Sequence, residues 1–373
     1  MSAEARLAAD IGALAAMTRD SAGAGERASA AWLAERLAAI DGVDDIAVEP
    51  YRGPRTYAWA HLAHAVAGLA AAALGSRALA LGALASLELE VSGRAPWLRR
   101  ALPSGEGASV VARVAARGAR RRTLVLVAHH DAARTGWMWD PRVVQARPAR
   151  RNRRAATDPA AGPVAAAALL VATGTRAGRV VGGAVQALTA ALVLDVARRP
   201  TVPGANDNAS GVAAVLELAR RLAADPPDGV ETLVWLPGGE ESGMGGMAAL
   251  LDAHPLDPGT TLVLGLDTLG SGRPVLATAE ATLLAHRYRD QDVALVEEAA
   301  RAAGLDAPER WRLGAWTDPV LATYRGIPAV SLLSVGPGGH HTNYHVLEDR
   351  PEHVDVACVA RCAAIAEATA RAL

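Results

Sequence analysis

Apolar residues recur at helical spacing in several stretches of this chain and form short continuous runs in others. Helical spacing predicts helices at residues 3–18, 25–40, 212–224, 247–253, 293–303 and 354–370. The short runs predict strands at residues 46–51, 109–115, 123–128, 232–236, 261–266 and 329–333. Because strands and helices alternate, we expect a three-layer α/β/α fold with a central, mainly parallel mixed sheet.

Two pairs of nearly continuous apolar segments interrupt this pattern. The first pair lies within residues 57–91, and the second lies within residues 160–197, behind an arginine-rich linker. A short turn joins the segments of each pair, which is typical of a helical hairpin. We therefore predict an α/β domain made of residues 1–56, 92–141 and 200–373, with inserts at residues 57–91 and 142–199.

The composition argues against several classes of protein. The chain has 373 residues and a formal net charge of −1, so we expect no nucleic-acid-binding surface. Its two cysteines, Cys358 and Cys362, lie four residues apart on the last predicted helix, which excludes a disulfide framework. The first residues lack the apolar core that is typical of a signal peptide.

Acidic residues and histidines follow three of the predicted central strands. His129 and Asp131 follow the run TLVLVA, Glu240 and Glu241 follow TLVWLPGG, and Asp267 follows TLVLGL. Because the carboxyl ends of parallel strands meet at one edge of a sheet, we expect these side chains to lie near one another.

Two loops supply further candidate ligands. Asp207 precedes the helix predicted at residues 212–224, and the loop GGHHTNYHVLED contains His340, His341 and His345. Asp207 alone could be a simple helix cap, and the histidines alone could form a surface loop. Together with the strand-end residues, however, they form a mixed nitrogen and oxygen ligand set, which suits zinc.

These motifs resemble those of the di-zinc aminopeptidase and glutamate carboxypeptidase family of metallopeptidases, clan MH. The most specific stretches are GANDNASGVAAVLELAR, which starts at Gly204, and the later GGEESG. The resemblance covers residues 26–56, 104–131 and 202–370, which is most of the chain apart from the apolar inserts.

The resemblance implies two zinc ions that are bridged by Asp207. One ion would be held by His129 and Asp267, and the other by Glu241 and His345.

The resemblance also implies two catalytic roles. Glu240 would be the general base, and Asp131 would orient His129 from behind. Asp318 could line the substrate side, but it could equally be a loop hydrogen-bonding residue, so it is left out of the core site.

The late histidine ligand requires a choice between two residues. The family usually has Tyr-His-x-Pro-x-Asp-Thr at this position, and Tyr344 and His345 fit that frame. Leu347 and Arg350 stand where the family has Pro and Thr, so the loop geometry differs from the family pattern. His341 is the alternative ligand.

The implied function is a zinc-dependent exopeptidase that hydrolyses peptide bonds with a metal-activated water, most simply an aminopeptidase. The residues do not distinguish aminopeptidase from carboxypeptidase action, and they do not define the substrate side chain or the oligomeric state. Two alternatives remain open. One is a non-catalytic, membrane-associated scaffold with a peptidase-like fold, and the other is a hydrolase of non-peptide amides.

The apolar inserts indicate membrane association through residues 57–91 and 160–197. Arg77, Arg176 and Arg179 lie in the turns, whereas the flanks on the catalytic side carry many more arginines. If the hairpins insert, this asymmetry would place the catalytic domain in the cytoplasm. His61 and His64 interrupt the first segment, and several segments are shorter than the ~20 residues needed to span a bilayer. The alternative is a soluble helical cap on a cytoplasmic enzyme.

Overall fold

The apolar runs predicted as strands pair into one sheet. The computed structural model describes residues 1–145, 153–155 and 158–373, and these contain ten strands. They are β1 (Val43–Gly53), β2 (Gly105–Val114), β3 (Arg117–Val127), β4 (Arg154–Ala155), β5 (Asp228–Leu236), β6 (Thr261–Leu266), β7 (Arg273–Glu280), β8 (His286–Arg287), β9 (Glu309–Leu313) and β10 (Ala329–Val335). Their order across the sheet is β1-β2-β5-β3-β6-β10-β7-β9-β4, and β8 pairs with β7.

The centre of the sheet is parallel. β5, β3, β6 and β10 are neighbours in that order and run in the same direction. β2 is antiparallel to both β1 and β5, and β7 is antiparallel to β10. Every residue of β6 and β10 is buried, which explains their continuous apolar sequences. The predicted α/β fold with a central, mainly parallel mixed sheet is therefore confirmed.

Thirteen α-helices accompany the sheet in the described part of the chain. They are α1 (Ala3–Ala15), α2 (Ala24–Ala38), α3 (Ala58–Leu74), α4 (Arg77–Val91), α5 (Trp97–Ala101), α6 (Pro141–Gln145), α7 (Ala161–Ala172), α8 (Arg176–Arg198), α9 (Ser210–Ala224), α10 (Gly245–Ala253), α11 (Asp290–Ala302), α12 (Pro319–Thr323) and α13 (Val356–Ala372). Helices α1, α9, α11 and α13 pack on one another, whereas α2 and α10 pack against β1 and β2.

Some elements differ from the sequence predictions. β7 and β9 were not predicted, because RPVLATAE contains a proline and several polar residues and ERWRL is short and mostly polar. β1 is longer than the predicted strand at residues 46–51. Most of the predicted arginine-rich linker at residues 142–154 lies outside the described residues.

The four apolar segments form α3, α4, α7 and α8, which pack together as a four-helix bundle. Both hairpins have the same turn chemistry. Gly75 and Gly174, with φ angles of 68° and 74°, end the first helix of each pair. Ser76 and Thr175 then cap the second helix, because each side-chain oxygen accepts a backbone N–H, at 3.2 Å and 3.0 Å.

The tips of the two hairpins are linked by arginines. Arg77, at the start of α4, donates to the carbonyl oxygen of Thr173 at the end of α7 (3.3 Å). Arg179, in the first turn of α8, donates to the carbonyl oxygens of Ala72 (2.8 Å) and Ala73 (2.7 Å) at the end of α3. Each hairpin therefore supplies a cation to the C-terminal end of a helix in the other hairpin, where unpaired carbonyl groups favour positive charge.

The bundle buries several polar side chains among small and medium-sized apolar ones, and it exposes large apolar side chains. Its buried polar side chains are His61, His64, Glu88, Glu90, Gln186 and Thr189. Its exposed large apolar side chains are Trp59, Val66, Leu69, Leu74, Leu79, Leu81, Leu89, Leu169, Leu170, Val180, Val181 and Leu188. Within the described residues, α8 is the helix that is long and apolar enough to cross a membrane by length and composition, and only 28% of its most apolar stretch is buried.

Candidate metal centre

The five predicted ligands converge at the carboxyl edge of the parallel strands. His129, Glu241, Asp267 and His345 follow β3, β5, β6 and β10, and Asp207 precedes α9. Their donor atoms form two groups, each with all atoms within 4.8 Å of one another, and a third such group joins His129 and Glu241 to Glu240. One group is His129, Asp207 and Asp267, and the other is Asp207, Glu241 and His345.

Asp207 lies between the two groups. Its Oδ1 is 3.3 Å from His129 Nε2, and its Oδ2 is 3.2 Å from His345 Nε2. His345 Nε2 is also 3.2 Å from Glu241 Oε2, and His129 Nε2 is 4.0 Å from Asp267 Oδ2. One oxygen of Asp207 therefore faces each group, as a bridging carboxylate requires.

The donor atoms of the second group fit a cation. Among the described residues, Glu241 Oε1 is buried and has no hydrogen-bond partner, and buried His345 Nε2 makes no well-directed hydrogen bond to either carboxylate oxygen that lies 3.2 Å away. A buried polar atom without a partner costs roughly 1–3 kcal/mol, and a coordinated metal ion would remove that cost. Imidazole nitrogens with carboxylate oxygens are a ligand set that zinc accepts.

His341 is placed differently from His345. Its Nδ1 is 2.7 Å from the carbonyl oxygen of Ser334, and its ring lines the cavity beside His129 and Asp267. Among the described residues, His341 belongs to neither of the two ligand groups, whereas His345 belongs to one. The geometry thus favours His345, the residue preferred from the sequence.

The loop that carries Asp207 is held by Asp349. The Asp349 carboxylate accepts the backbone N–H groups of Asn206 (2.7 Å) and Asp207 (3.1 Å). Asn208 ties the other side of the loop to the end of β6, because its Nδ2 donates to the carbonyl oxygen of Leu266 (3.0 Å). Asp349 therefore has a positioning role that the sequence did not reveal.

Asp131 connects His129 to the loop after β5. Its Oδ1 is 3.3 Å from His129 Nδ1. The carboxylate also accepts the backbone N–H groups of Glu240 (3.1 Å) and Glu241 (3.2 Å), and the hydroxyl of Ser21 (2.6 Å). Asp131, which is predicted to orient His129, therefore contacts both that histidine and the backbone of the acidic pair.

Glu26 is a functional candidate that the sequence analysis missed. It is fully buried and accepts the backbone N–H groups of Ala22 (3.0 Å), Ala108 (3.0 Å) and Gly239 (2.9 Å), and the hydroxyl of Tyr51 (2.9 Å). Burial raises the pKa of Glu26 to about 8. Its place on the apolar face of α2, in line with the buried residues of that helix, is the signal that could have revealed it.

The glycines before Glu240 allow this contact. Gly239 has a φ angle of 67°, and a side chain there would overlap the hydroxyl of Tyr51. The backbone after β5 can therefore lie directly on Glu26 and Tyr51, which fixes the start of the loop that carries the acidic pair.

Negative charge accumulates in this site. Burial raises the pKa of Glu241 to about 7 and the pKa of Asp267 to about 6, and in both cases the charge on Asp207 adds to the effect. Burial also raises the pKa of Glu240 well above its usual range, against the opposing charge of His129. Asp318 is buried close by, and neither of its carboxyl oxygens has a hydrogen-bond partner among the described residues.

Two aromatic rings enclose the imidazole of His345. The ring of Tyr344 is stacked on it with centroids 3.9 Å apart, and the ring of Trp139 meets it edge-on at 4.3 Å. Trp139 comes from the segment after β3, so its position beside His345 could not be derived from the sequence.

A protein-family model matches the second half of the chain. Residues 194–370 match the model described as Peptidase family M28. No curated protein is significantly similar to the chain in sequence.

Several solved aminopeptidases share the fold. A zinc aminopeptidase from Bacillus subtilis aligns with a TM-score of 0.57 and 14% identity, over 98% of this chain and 93% of its own. The aminopeptidase from Aneurinibacillus sp. strain AM-1 aligns with a TM-score of 0.57 and 14% identity, over 99% and 92%. A leucine aminopeptidase precursor from Bacteroides thetaiotaomicron aligns with a TM-score of 0.56 and 14% identity, over 99% of this chain and 96% of its own. At this identity the likeness shows the fold.

The contacts of Glu26 generate a testable prediction. We expect Glu26→Gln to lower kcat by roughly 10–100-fold, the range for outer residues that orient a metal site, while metal content stays unchanged. The reason is that the two carboxyl oxygens of Glu26 accept backbone N–H groups on both sides, including that of Gly239, and a glutamine amide cannot replace both oxygens as acceptors. Steady-state kinetics and metal analysis would measure both effects.

Glu35→Gln is the matched control, because Glu35 is exposed on the same helix. A Glu26→Gln enzyme with the kcat of the Glu35→Gln enzyme would contradict the positioning role.

Proposed function

We propose that this chain, a metallopeptidase whose residues 194–370 fall within Peptidase family M28, is a di-zinc aminopeptidase. The family and the metallopeptidase class expected from the motifs are confirmed by this match together with the fold. The proposal adds three finer points: the number of metal ions, the identity of the base, and cleavage at the amino terminus. The solved aminopeptidases of the same fold support the last point.

The observation that carries the proposal is the sharing of Asp207 by two ligand groups. Each group contains one histidine and one further carboxylate, so the two groups are chemically alike. Zinc bound there would supply Lewis acidity, lowering the pKa of water and polarising the carbonyl oxygen of the substrate.

Glu240 is the residue we propose as the general base. Its carboxylate lies 3.9 Å from His129 Nε2, and its backbone is fixed through Asp131. In this role Glu240 accepts a proton from the attacking water. It then delivers the proton to the amine nitrogen, as the bond between that nitrogen and the carbonyl carbon breaks.

We also infer that the four-helix bundle tethers the enzyme to a lipid membrane. The bundle exposes many large apolar side chains and keeps several ionisable ones, such as Glu88, Glu90 and His64, buried, and a lipid environment favours this distribution. Helices α7 and α8 also approach each other closely at Gly182, where an added Cβ would lie only 2.7 Å from the carbonyl oxygen of Ala167. Close packing at small residues is typical of helices in membranes. Arginines flanking the bundle on its catalytic side, such as Arg198 and Arg199, favour a cytoplasmic catalytic domain.

The metal site predicts the zinc content of the purified protein. We expect about two zinc ions per chain in the wild type and a loss of both in Asp207→Ala, because each group would lose a ligand. Mass spectrometry of the detergent-purified protein would measure the content. Asp252→Ala, a change at an exposed aspartate, should leave it unchanged.

A wild-type protein that binds no metal after zinc is supplied would overturn the enzyme proposal. It would instead support the alternative of a non-catalytic scaffold with a peptidase-like fold.

The base assignment predicts an inactive but metal-loaded variant. We expect Glu240→Gln to retain zinc and to lose activity on aminoacyl and dipeptide substrates by roughly 100-fold or more, because no group would accept the proton from water. Release of the amino-terminal residue from dipeptides would be measured beside zinc content. Near-normal kcat in this variant would show that another group is the base.

The tether predicts binding to lipid vesicles. We expect the wild type to float with vesicles and a Val181→Glu/Leu188→Glu variant to remain in solution, since each buried charge costs about 2.5 kcal/mol or more in a bilayer. Val48→Glu, a comparable change at an exposed apolar residue of β1, is the control. A zinc-loaded wild type that stays in solution would favour the soluble cap, and a double variant that floats as well as the control would show that this face of α8 does not insert.

A further inference from the structure

A pocket beside Glu240 and Glu241 is lined in part by residues that the family match does not cover. It has a volume of about 110 Å³ and opens next to His345. Its outer wall includes Tyr57 and His61 from the region of α3, Val91 from α4, and Trp139. All four residues precede residue 194, where the family match begins.

The charged groups of the outer wall already have partners. Arg99 Nε lies 2.9 Å from Glu90 Oε1, and the Arg99 guanidinium donates to the carbonyl oxygen of Gly243 (3.0 Å). Asp158 accepts the backbone N–H of Ala160 (2.7 Å) at the start of α7. What the wall offers a ligand is therefore mainly aromatic and aliphatic surface.

The outer wall and the metal centre pack as one unit. Trp139 belongs to a buried apolar cluster with Ala58 of α3, Val193 and Val196 of α8, and Val346, which follows His345. The ring of Trp139 also contacts the ring of His345 directly. The inserts are thus fixed relative to the metal ligands, so their side chains can define the shape of a substrate pocket.

We propose that the apolar inserts determine substrate specificity, by forming the outer wall of the pocket for a side chain that flanks the scissile bond. The inference rests on the peptidase function proposed above. A cavity of ~150 Å³ holds benzene, so the smaller volume here suits an uncharged side chain of leucine or methionine size. A charged side chain is disfavoured, because the charged groups of the outer wall are already paired and, under the proposed function, Glu240 and Glu241 are committed to the base role and to zinc.

Dipeptide series of the type X-Ala and Ala-X test the proposal. For the wild type we expect kcat/KM to be highest when X is leucine or methionine in one of the two series, and at least tenfold lower for glutamate or lysine. An equal or higher rate with charged X in both series would overturn the proposal.

Tyr57→Ala tests the contribution of the insert. We expect the ratio of kcat/KM for X = tryptophan to kcat/KM for X = leucine to rise by roughly tenfold, because loss of the tyrosine ring would enlarge the pocket. Trp59→Ala is the matched control, since Trp59 lies two residues further along and is exposed on the outside of the bundle. Tyr57→Phe should keep the wild-type ratio.

Val91→Ala gives a second, milder enlargement of the same wall, and zinc content reports whether each variant is folded. If Tyr57→Ala and Val91→Ala are folded and active but keep the ratio of Trp59→Ala, the insert does not set specificity and the inference is wrong. If the zinc-loaded wild type cleaves no dipeptide in either series, it is the proposed function that fails.

Discussion

Repulsion among buried carboxylates is the constraint on which the rest of this structure depends. Asp207, Glu240, Glu241 and Asp267 lie together at the edge of the sheet, largely removed from water. Such a cluster is stable only if its members are protonated or share cations. The raised pKa values of Glu241 and Asp267 show that burial and neighbouring charge favour their protonated forms when no cation is bound. The surrounding structure keeps the cluster assembled through backbone groups instead of through the carboxylates themselves. Asp131, Asp349 and Glu26 each accept backbone N–H groups from the loops involved, which leaves the ligand oxygens free to face one another.

The sequence reveals the central strands and the acidic residues at their ends, because both are local features. A buried parallel strand is a continuous apolar run, and its C-terminal end is marked by the first polar residue. The peripheral strands β7 and β9 lack that signature, since their polar residues are tolerated near the edge of the sheet. For a different reason, the sequence offers little for Glu26, a lone carboxylate on the apolar face of a helix, and nothing for Trp139. Each acts through contacts with residues distant in the chain, such as Gly239 and His345, which only the fold brings close.

The inserts contact the metal centre at one end of the bundle, and they contact each other at the other end, where the hairpin turns lie. At the base, residues of α3 and α8 share an apolar cluster with the loop that carries His345. At the tips, Arg77 and Arg179 contact the ends of helices in the opposite hairpin. The four-helix bundle, built from two distant segments, is therefore packed directly against the metal centre. These contacts are the basis of the proposal that a region outside the family match shapes the substrate pocket.

The exchange of arginines between the hairpin tips has a consequence for the history of the chain. Removal of either hairpin would strip the helix end of the other of its cation and expose the polar residues that the bundle now buries. A single hairpin would therefore be a poor intermediate between a plain peptidase and this one. The two insertions, although roughly a hundred residues apart, are expected to be inherited and lost together, as one evolutionary unit.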